Sequence, residues 1–354
     1  MTVRKTTDME SELLTGDVSS LKICLLGAGA WGITLANLIS EKGHSCVVWD
    51  IDAGKLASLT ESHHFGAPLN LDLHPTLMFE PDLEKASDSA DVIVSVVPSF
   101  AVRSVCNAIA ATRRGLGDRL FVSCSKGIEE GALKLPSQVF AEVFGADAMQ
   151  NYVVLSGPTH AEEVSRKIPT LIVAASENPS SALLTQKLFM IPELRIYTHN
   201  DVVGVEMGAA VKNVIAIAAG VCDGLGYGDN TKAALITRAL TEMGRAVIAM
   251  GGTRETLSGL TGLGDLVVTT MSRHSRNRMF GQLLAEGYAP ADALKEVGAV
   301  VEGYRTAHSA YDLSLRLNVE MPIVTMIYKV SYENYPLRDA ALSLLTRDPK
   351  PEVY

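Results

Sequence analysis

The sequence predicts an α/β protein of two domains, with a doubly wound, mostly parallel sheet followed by an all-helical domain. Short apolar runs alternate with helical segments in the first half of the chain, and from about Asp201 longer segments rich in Ala, Leu and Met take over. The 354 residues are enough for two separate cores. We expect a polar, disordered extension over 1–20, a first domain over 21–200 and a second over 201–354.

The first domain opens with a glycine pattern that is typical of dinucleotide binding. An apolar run enters Gly27-Ala-Gly29-Ala-Trp-Gly32, and an amphipathic segment that stops at Gly43 follows it. Between a strand and a helix, Gly27 permits the turn, Gly29 admits a pyrophosphate, and Gly32 lets helix and strand pack closely. This pattern predicts a Rossmann-like domain with the diphosphate at a helix N-terminus.

Asp50 supports the same interpretation, because it ends the second apolar run 23 positions after Gly27. A carboxylate there can accept hydrogen bonds from the adenosine ribose hydroxyls. The alternative is a glycine-rich turn in another kind of α/β protein, which the register of strand, helix and acid disfavours. Four later runs have the composition of buried strands: Val92–Val97, Leu120–Cys124, Tyr152–Leu155 and Thr170–Ala175.

The second half has the periodicity of helices, separated by glycine pairs, Asn and Asp, and we expect the linker near Thr198–Asp201. The predicted helices cover 202–222, 230–250, 278–286, 291–297, 303–317, 322–333 and 338–346. In a chain of this plan, the active site is expected between the domains, beyond the carboxyl ends of the strands.

Composition and charge limit the classes of partner. The net charge is −9 and the pI about 5.4, so nucleic acid and anionic membrane surfaces are not expected partners. The five cysteines lie mostly in apolar runs without a C-x-x-C pair, which favours free thiols in a reducing cytoplasm. The apolar stretch Val202–Cys222 is interrupted by Glu206, Lys212 and Asn213. We therefore predict a buried core helix there, and no integral membrane segment.

Lys212 is the leading acid/base candidate. It lies in Gly204–Gly220, the least polar predicted helix, where burial should lower its pKa unless an anion is near. The alternative is a lysine on the exposed stripe of an amphipathic helix. Lys126 follows a predicted strand at the sheet edge where ligands bind, although surface turns also often hold lysines. Asp265 closes a second glycine-rich turn and either caps the next helix or orients a catalytic cation.

Arg273, Arg276 and Arg278 form a cluster within six residues. Their forked donors suit a phosphate or a carboxylate, and the alternative is a solvated basic face. The glycine-rich loop Asp223–Asn230 lacks the Lys-Ser/Thr ending of a P-loop, so we interpret it as a turn before the next helix. The histidines have no metal-ligand spacing, and no metal is implied.

Eight segments in order together resemble the NAD-dependent glycerol-3-phosphate dehydrogenases, most closely the bacterial type. They are Gly27–Gly32, Ser125–Ile128, Leu155–Thr159, Val211–Ala216, Gly224–Asn230, Gly262–Asp265, Ser275–Asn277 and Val300–Gly303. The resemblance extends from about residue 21 to residue 346. It implies reversible hydride transfer between NADH and dihydroxyacetone phosphate to give sn-glycerol 3-phosphate, a glycerophospholipid precursor. A homodimer is compatible with it.

The resemblance also implies roles for individual residues. Lys212 would donate the proton to the C2 oxygen, with Lys126 and Asp265 as the other catalytic residues beside the reacting end. The implied substrate-binding set is Lys126, Gly157, Thr159, Lys212, Asn213, Asp265, Thr269, Ser275, Arg276 and Asn277, of which Arg276 and Asn277 would hold the phosphate. With the glycine motif, the cofactor-binding set becomes Gly27, Gly29, Ala30, Trp31, Gly32, Asp50, Pro98, Lys126, Ala161, Arg276, Val300 and Glu302.

One departure from the family pattern concerns the cofactor. Family members that accept NADPH carry a basic residue just after the second strand, whereas this chain has Asp50-Ile-Asp52 and no cation before Lys55. A 2′-phosphate there would meet like charge, so the sequence predicts a preference for NADH.

Two alternative functions remain open. One is a related two-domain hydroxyacid or sugar-acid dehydrogenase, which the Ser275–Asn277 segment and the lack of a catalytic cysteine motif disfavour. The other is a non-catalytic NADH sensor, which the presence of both lysines and Asp265 disfavours, because a binding module needs no buried acid/base group.

Overall fold

The structure is a computed structural model that describes residues 20–349 and 351–352. The predicted disorder of the polar extension falls outside these ranges except for Ser20. The chain divides into two compact units. Unit 1 comprises the chain up to Lys126 together with Lys134–Glu206, and unit 2 comprises Gly127–Leu133 and the chain from Met207 onward.

Within the residues that the structure describes, unit 1 contains ten strands. They are β1 Lys22–Leu26, β2 Ser45–Trp49, β3 His64–Phe65, β4 Leu71–Asp72, β5 Met78–Phe79, β6 Val92–Ser95, β7 Leu120–Ser123, β8 Tyr152–Ser156, β9 Thr170–Ala175 and β10 Leu194–His199. Eight form one sheet in the order β10-β9-β8-β7-β6-β1-β2-β5, and β3 and β4 form a separate antiparallel pair. Every neighbouring pair in the large sheet is parallel except β8 and β9. This arrangement confirms the predicted doubly wound, mostly parallel sheet.

Strand β10 was not predicted, and its burial pattern explains why. Arg195 and Tyr197 are exposed and alternate with buried Leu194 and Ile196, so the segment has no continuous apolar run. The central strands are different, because apolar residues fill both of their faces. The predicted linker Thr198–Asp201 contains the last two residues of β10.

The helices of unit 1 lie in the connections between its strands. They are α1 Ala30–Glu41, α2 Ala53–Ser62, α3 Leu83–Asp88, α4 Val102–Ala111, α5 Pro136–Phe144, α6 Ala161–Val164 and α7 Pro179–Phe189. Helix α1 buries Ile33, Leu35 and Ile39 in the same apolar core as Ile23 and Leu25 of β1. Burial of these side chains fixes the start of α1 at the carboxyl end of β1.

Helix α8, Val202–Gly224, begins in unit 1 and continues into unit 2. Its length and composition would suffice to cross a membrane, but 94% of its apolar window is buried inside the protein. Length and composition are weak indications of a membrane span, because a buried core helix has both properties as well. The burial agrees with the predicted core helix.

The remaining helices of unit 2 match the predicted ranges within a few residues, except for the one that begins at Asp265, which no predicted range covers. They are α9 Asp229–Ala249, α10 Asp265–Met271, α11 Arg276–Ala285, α12 Pro290–Val297, α13 Glu302–Leu317, α14 Pro322–Tyr332 and α15 Leu337–Leu345. A 3₁₀ turn over Arg254–Ser258 and a π-helical turn over Leu260–Gly264 lead into α10. The loop between α8 and α9 is the turn that the sequence predicted.

Candidate functional site

Helix α1 has an open, uncapped N-terminus at the glycine turn that precedes it. Gly29 is the N-cap residue, no side chain bonds the first N–H groups, and the first turn contains no acidic residue. A Cβ on Gly32 would overlap the carbonyl oxygen of Gly27, whereas a Cβ on Gly29 would meet nothing within 4 Å. Gly27 has a φ of +111°, which favours glycine. The residues therefore fit a diphosphate: the backbone packs closely at Gly32 and leaves space above Gly29.

Asp50 lies directly after β2 and beside this turn. Its Oδ2 accepts a hydrogen bond from the Ala28 N–H at 2.7 Å, and its Oδ1 accepts one from the Asp52 N–H at 3.0 Å. A carboxylate accepts about four hydrogen bonds, so both oxygens retain lone pairs for ribose hydroxyls. These two bonds fix the orientation of the acid that the sequence assigned to the ribose.

The other predicted cofactor residues lie at several places along the chain. In unit 1, Ala30 and Trp31 open α1, with Trp31 packed against the sheet core, while Pro98 follows β6 and Ala161 opens α6. In unit 2, the exposed Val300 and the half-buried Glu302 lie at the start of α13.

Lys126, Gly157 and Thr159 meet after the adjacent strands β7 and β8. The Lys126 Nζ donates to the Gly157 carbonyl oxygen at 3.3 Å, and the Thr159 hydroxyl donates to the same oxygen at 3.2 Å. A Cβ on Gly157 would lie 3.0 Å from the Cα of Ile172. Three of the predicted substrate residues therefore form one cluster at the carboxyl edge of the sheet, where ligands of doubly wound folds bind.

Lys212, Asp265 and Thr269 form a buried cluster in unit 2. The Lys212 ammonium donates to the Asp265 carboxylate and, at 2.9 Å, to the Thr269 hydroxyl. The side chains of Lys212 and Asp265 are only 7% and 2% exposed. Asp265 is the first residue of α10, and the N-cap position belongs to Gly264. The sequence left open whether Asp265 caps a helix or orients a cation, and the contact favours the second.

Asn213 and Asn277 bond to each other and to the start of α13. The Asn277 Nδ2 donates to Asn213 Oδ1 at 3.0 Å, and the Gly303 N–H donates to Asn277 Oδ1 at 2.9 Å. Asn213 is buried, and Asn277 is half-buried. The structure thus brings together three chain segments that are far apart in the sequence.

The arginine cluster divides into paired and unpaired members. Arg278 Nε bonds Asp223 at 2.6 Å, and Lys232 lies 2.8 Å from the other oxygen of that carboxylate. Burial raises the pKa of Asp223, but the hydrogen bonds from Lys232 and Arg278 outweigh it and hold that pKa below its usual value. Arg276 is exposed, and its guanidinium has no partner among the described residues. Arg278 is therefore committed to an internal ion pair, whereas Arg276 remains for a ligand.

Ser275 has a local structural task as well. It is the N-cap residue of α11, and its hydroxyl accepts a hydrogen bond from the Arg278 N–H at 3.2 Å. This bond leaves the first two N–H groups of the helix, at Arg276 and Asn277, without an intrahelical partner. An uncompensated helix N-terminus next to an unpaired guanidinium suits an anion. Within the described residues, no group of three or more His, Cys, Asp or Glu could hold a metal ion.

Sequence reasoning gave no role to Glu206, a buried carboxyl group of unit 1. It accepts hydrogen bonds from the Tyr152 hydroxyl at 2.6 Å and from the Ser137 N–H at 3.0 Å. Burial raises the pKa of Glu206 to about 7, and the bonds from Ser137 and Tyr152 only partly oppose this effect. A carboxyl group within an apolar helical run was the only available signal, and its partners could not be identified from sequence.

We expect Glu206→Gln to remove a pH dependence of stability. The folded-state pKa is raised from 4.5 to about 7, so the contribution of Glu206 is fully present below about pH 4.5 and is lost as the pH rises to about 7. This loss is on the order of 3 kcal/mol. Urea unfolding between pH 4.5 and 8 measures it, with the exposed Glu61→Gln as the control. A constant difference between wild type and Glu206→Gln across this range would contradict the assignment.

Comparisons with known proteins bear on both halves of the chain. The family model described as NAD-dependent glycerol-3-phosphate dehydrogenase N-terminus matches residues 22–182, and the model described as its C-terminus matches residues 201–342. The chain belongs to the NAD-dependent glycerol-3-phosphate dehydrogenase family. This membership confirms the resemblance that the eight segments indicated.

Similar members of the glycerol-3-phosphate dehydrogenase family cover nearly the whole chain. Glycerol-3-phosphate dehydrogenase [NAD(P)+] of Carboxydothermus hydrogenoformans is 43% identical over 95% of this chain and 99% of its own. The Geobacter sulfurreducens protein of the same name is 46% identical over 94% and 99%. A crystal structure of glycerol-3-phosphate dehydrogenase from Coxiella burnetii superposes with a TM-score of 0.86 at 33% identity, covering 93% of this chain and 99% of that one. As a family member, the chain is an NAD(P)-dependent oxidoreductase.

Proposed function

We propose that the protein reversibly reduces dihydroxyacetone phosphate to sn-glycerol 3-phosphate with NADH. The observation that carries this proposal is the buried ammonium of Lys212, held by Asp265 and Thr269. A proton donor of this kind suits the reduction of a carbonyl group. The open helix N-terminus at Gly29 supplies the accompanying site for a dinucleotide.

Each reacting atom has a proposed partner. Bound NADH supplies the hydride to C2 of the ketone. Lys212 donates a proton to the C2 oxygen, so the C=O becomes a secondary alcohol, and it takes the proton back in the reverse direction. Asp265 stabilises the ammonium form of Lys212, and both Asp265 and Thr269 orient it. We assign Lys126, fixed by the Gly157 carbonyl, to the reacting end of the substrate as a second cation.

The phosphate is proposed to bind at the start of α11. Arg276 is an exposed guanidinium with no partner in the described part of the chain, and the first N–H groups of the helix lie beside it. The amide of Asn277 adds a further donor. Arg and helix N-termini are both favourable for phosphate oxygens. This arrangement favours a phosphorylated ketone over the hydroxyacid or sugar-acid substrates of the first alternative.

An assay with purified wild-type protein tests the proposal. We expect rapid oxidation of NADH, followed by its absorbance, with dihydroxyacetone phosphate, and much slower oxidation with unphosphorylated hydroxyketones or with α-keto acids. The reverse reaction should reduce NAD with sn-glycerol 3-phosphate. NADH binding without turnover would instead support the sensor alternative, and turnover of keto acids would support the hydroxyacid alternative.

We expect NADH to be preferred over NADPH by at least about tenfold in kcat/KM, as for other discriminations by like charge. Asp50 and Asp52 lie together after β2. Lys55 is the first cation after them, and its ammonium lies 5.8 Å from the centre of the Phe65 ring. Ile51 between the two acids is 89% exposed. Ile51→Arg should therefore raise kcat/KM with NADPH without breaking a contact. Ile51→Gln, which adds no charge, should leave kcat/KM with NADPH unchanged. Comparable kcat/KM values for both cofactors in wild type would overturn this preference.

We also propose that the protein works in the cytoplasm as a homodimer and supplies a glycerophospholipid precursor. A reducing compartment suits the five free thiols, four of which are buried. Burial raises the pKa of the Cys124 thiol to about 12, which makes it unreactive. Light scattering coupled to gel filtration measures the assembly, and a monomeric mass at micromolar concentration would contradict the dimer.

A further inference from the structure

One backbone N–H fixes the direction of two side-chain amides in unit 2. Gly303 N–H donates to Asn277 Oδ1, and Asn277 Nδ2 donates to Asn213 Oδ1. A backbone N–H can only donate, so Asn277 must turn its oxygen toward Gly303 and present its nitrogen to Asn213. Asn213 therefore uses its oxygen for Asn277 and keeps its nitrogen for another partner. Without this fixed point, each amide could rotate by 180° and exchange donor for acceptor.

Gly303 makes the approach possible because it has no side chain. A Cβ at this position would overlap the carbonyl oxygen of Asn213 and would lie 2.9 Å from Asn277 Oδ1. Gly303 is the second residue of α13, where an N–H has no acceptor within its own helix. A larger residue would push the start of α13 away from Asn213 and lengthen the bond to Asn277.

The amide hydrogens that remain can only be offered to an acceptor. Asn277 Nδ2 keeps one hydrogen and Asn213 Nδ2 keeps two, and neither nitrogen donates to another atom of the described residues. Arg276, directly before Asn277, adds a guanidinium that cannot accept a hydrogen bond. This part of unit 2 therefore presents donors alone to a ligand, and such a site suits the oxygens of a phosphate better than a hydroxyl group.

We propose that Gly303 is a positioning residue that makes Asn213 and Asn277 hydrogen-bond donors and so sets the selectivity for a phosphorylated substrate. This inference rests on the proposed function and adds to it the residue that determines the preference for phosphate. Gly303 contacts no substrate in this proposal; it acts through the orientation of the two amides.

Gly303→Ala tests the proposal, with Gly228→Ala as the matched control. Gly228 also lies at the start of a helix in unit 2, and a Cβ there would meet nothing within 4 Å. For Gly303→Ala we expect kcat/KM with dihydroxyacetone phosphate to fall about 10- to 100-fold, the range for weakened hydrogen bonds to a charged group. The kcat/KM with dihydroxyacetone should stay at the wild-type level, so the ratio of the two kcat/KM values, which measures the preference for the phosphorylated ketone, decreases. Gly228→Ala should keep the wild-type preference.

Equal losses with both ketones would overturn the proposal, because general damage to the fold does not distinguish phosphate from hydroxyl. If Gly303→Ala does not fold, as judged by thermal unfolding, Asn277→Asp replaces it. That variant keeps an acceptor for the Gly303 N–H but exchanges the Nδ2 donor for an oxygen. An undiminished phosphate preference in Asn277→Asp would likewise overturn the proposal.

Calorimetry separates this inference from the proposed function. Titration of sn-glycerol 3-phosphate into wild type and Gly303→Ala measures binding without turnover, and the variant should bind about 10- to 100-fold more weakly. A wild type that binds this ester but does not oxidise NADH with dihydroxyacetone phosphate would overturn the proposed function alone. Equal binding by wild type and variant would overturn the role of Gly303 alone.

Discussion

Lys212→Met is expected to reduce kcat for dihydroxyacetone phosphate by about 10²- to 10⁴-fold, the usual effect of removing a general acid. Methionine fills a similar volume but has no proton to donate. The affinity for NADH, measured by fluorescence quenching, should be unchanged, because Lys212 is not among the residues assigned to the cofactor. A kcat close to that of wild type would assign the proton donor to another residue.

The same variant carries a stability cost that must be separated from the catalytic one. Asp265 is only 1% exposed, and breaking a buried ion pair by removing one partner costs about 3–5 kcal/mol. The double variant Lys212→Met/Asp265→Asn removes both charges, so we expect it to regain most of the stability while activity stays low. Lys295→Met, at a lysine whose side chain is 79% exposed, is the control for loss of a lysine.

Alanine substitutions at Gly29 and Gly32 are expected to affect different properties, although the two residues belong to one motif. At Gly29, where φ is −71° and a Cβ meets nothing within 4 Å, alanine should leave the free energy of unfolding within about 0.5 kcal/mol of wild type. The added methyl group lies where a diphosphate would approach the backbone, so NADH should bind more than about tenfold more weakly.

At Gly32, the new methyl group would overlap the carbonyl oxygen of Gly27. Overpacking against backbone costs about 1–3 kcal/mol or more, so Gly32→Ala should unfold at lower temperature even without cofactor. Thermal unfolding with and without NADH measures both effects. A stable Gly32→Ala, or a Gly29→Ala with wild-type affinity for NADH, would contradict the different tasks assigned to these glycines.

Local sequence patterns predicted most of the fold because burial imposes a period on each element. The seven predicted helices of the second half correspond to observed helices within a few residues, and the buried strands were visible as apolar runs. Strand β10 escaped detection because one of its faces is exposed. Strands β8 and β9 pair antiparallel, and no local pattern in either strand specifies the direction of its partner.

The candidate site was predicted less completely, because its contacts join residues that are distant in the chain. Lys212 was singled out by its apolar surroundings, but the identity of its anion, 53 positions away, could not be inferred. Arg278 was grouped with Arg273 and Arg276 because the three lie within six residues of one another, whereas its partner Asp223 lies 55 positions earlier. The donor direction of Asn277 depends on a backbone N–H, which no residue type in a sequence specifies.

The pairing of Arg278 with Asp223 has a consequence for how an anionic substrate reaches the protein. The chain carries a net charge of −9, and Asp223 offsets one of the two positive charges, Arg278 and Lys232, that contact it. At low ionic strength the net negative charge therefore repels a phosphate ester at long range, and at physiological ionic strength this repulsion is screened beyond about 8–10 Å. Added salt should thus speed the encounter while it weakens retention, so that arrival and residence of the substrate respond to ionic strength in opposite directions.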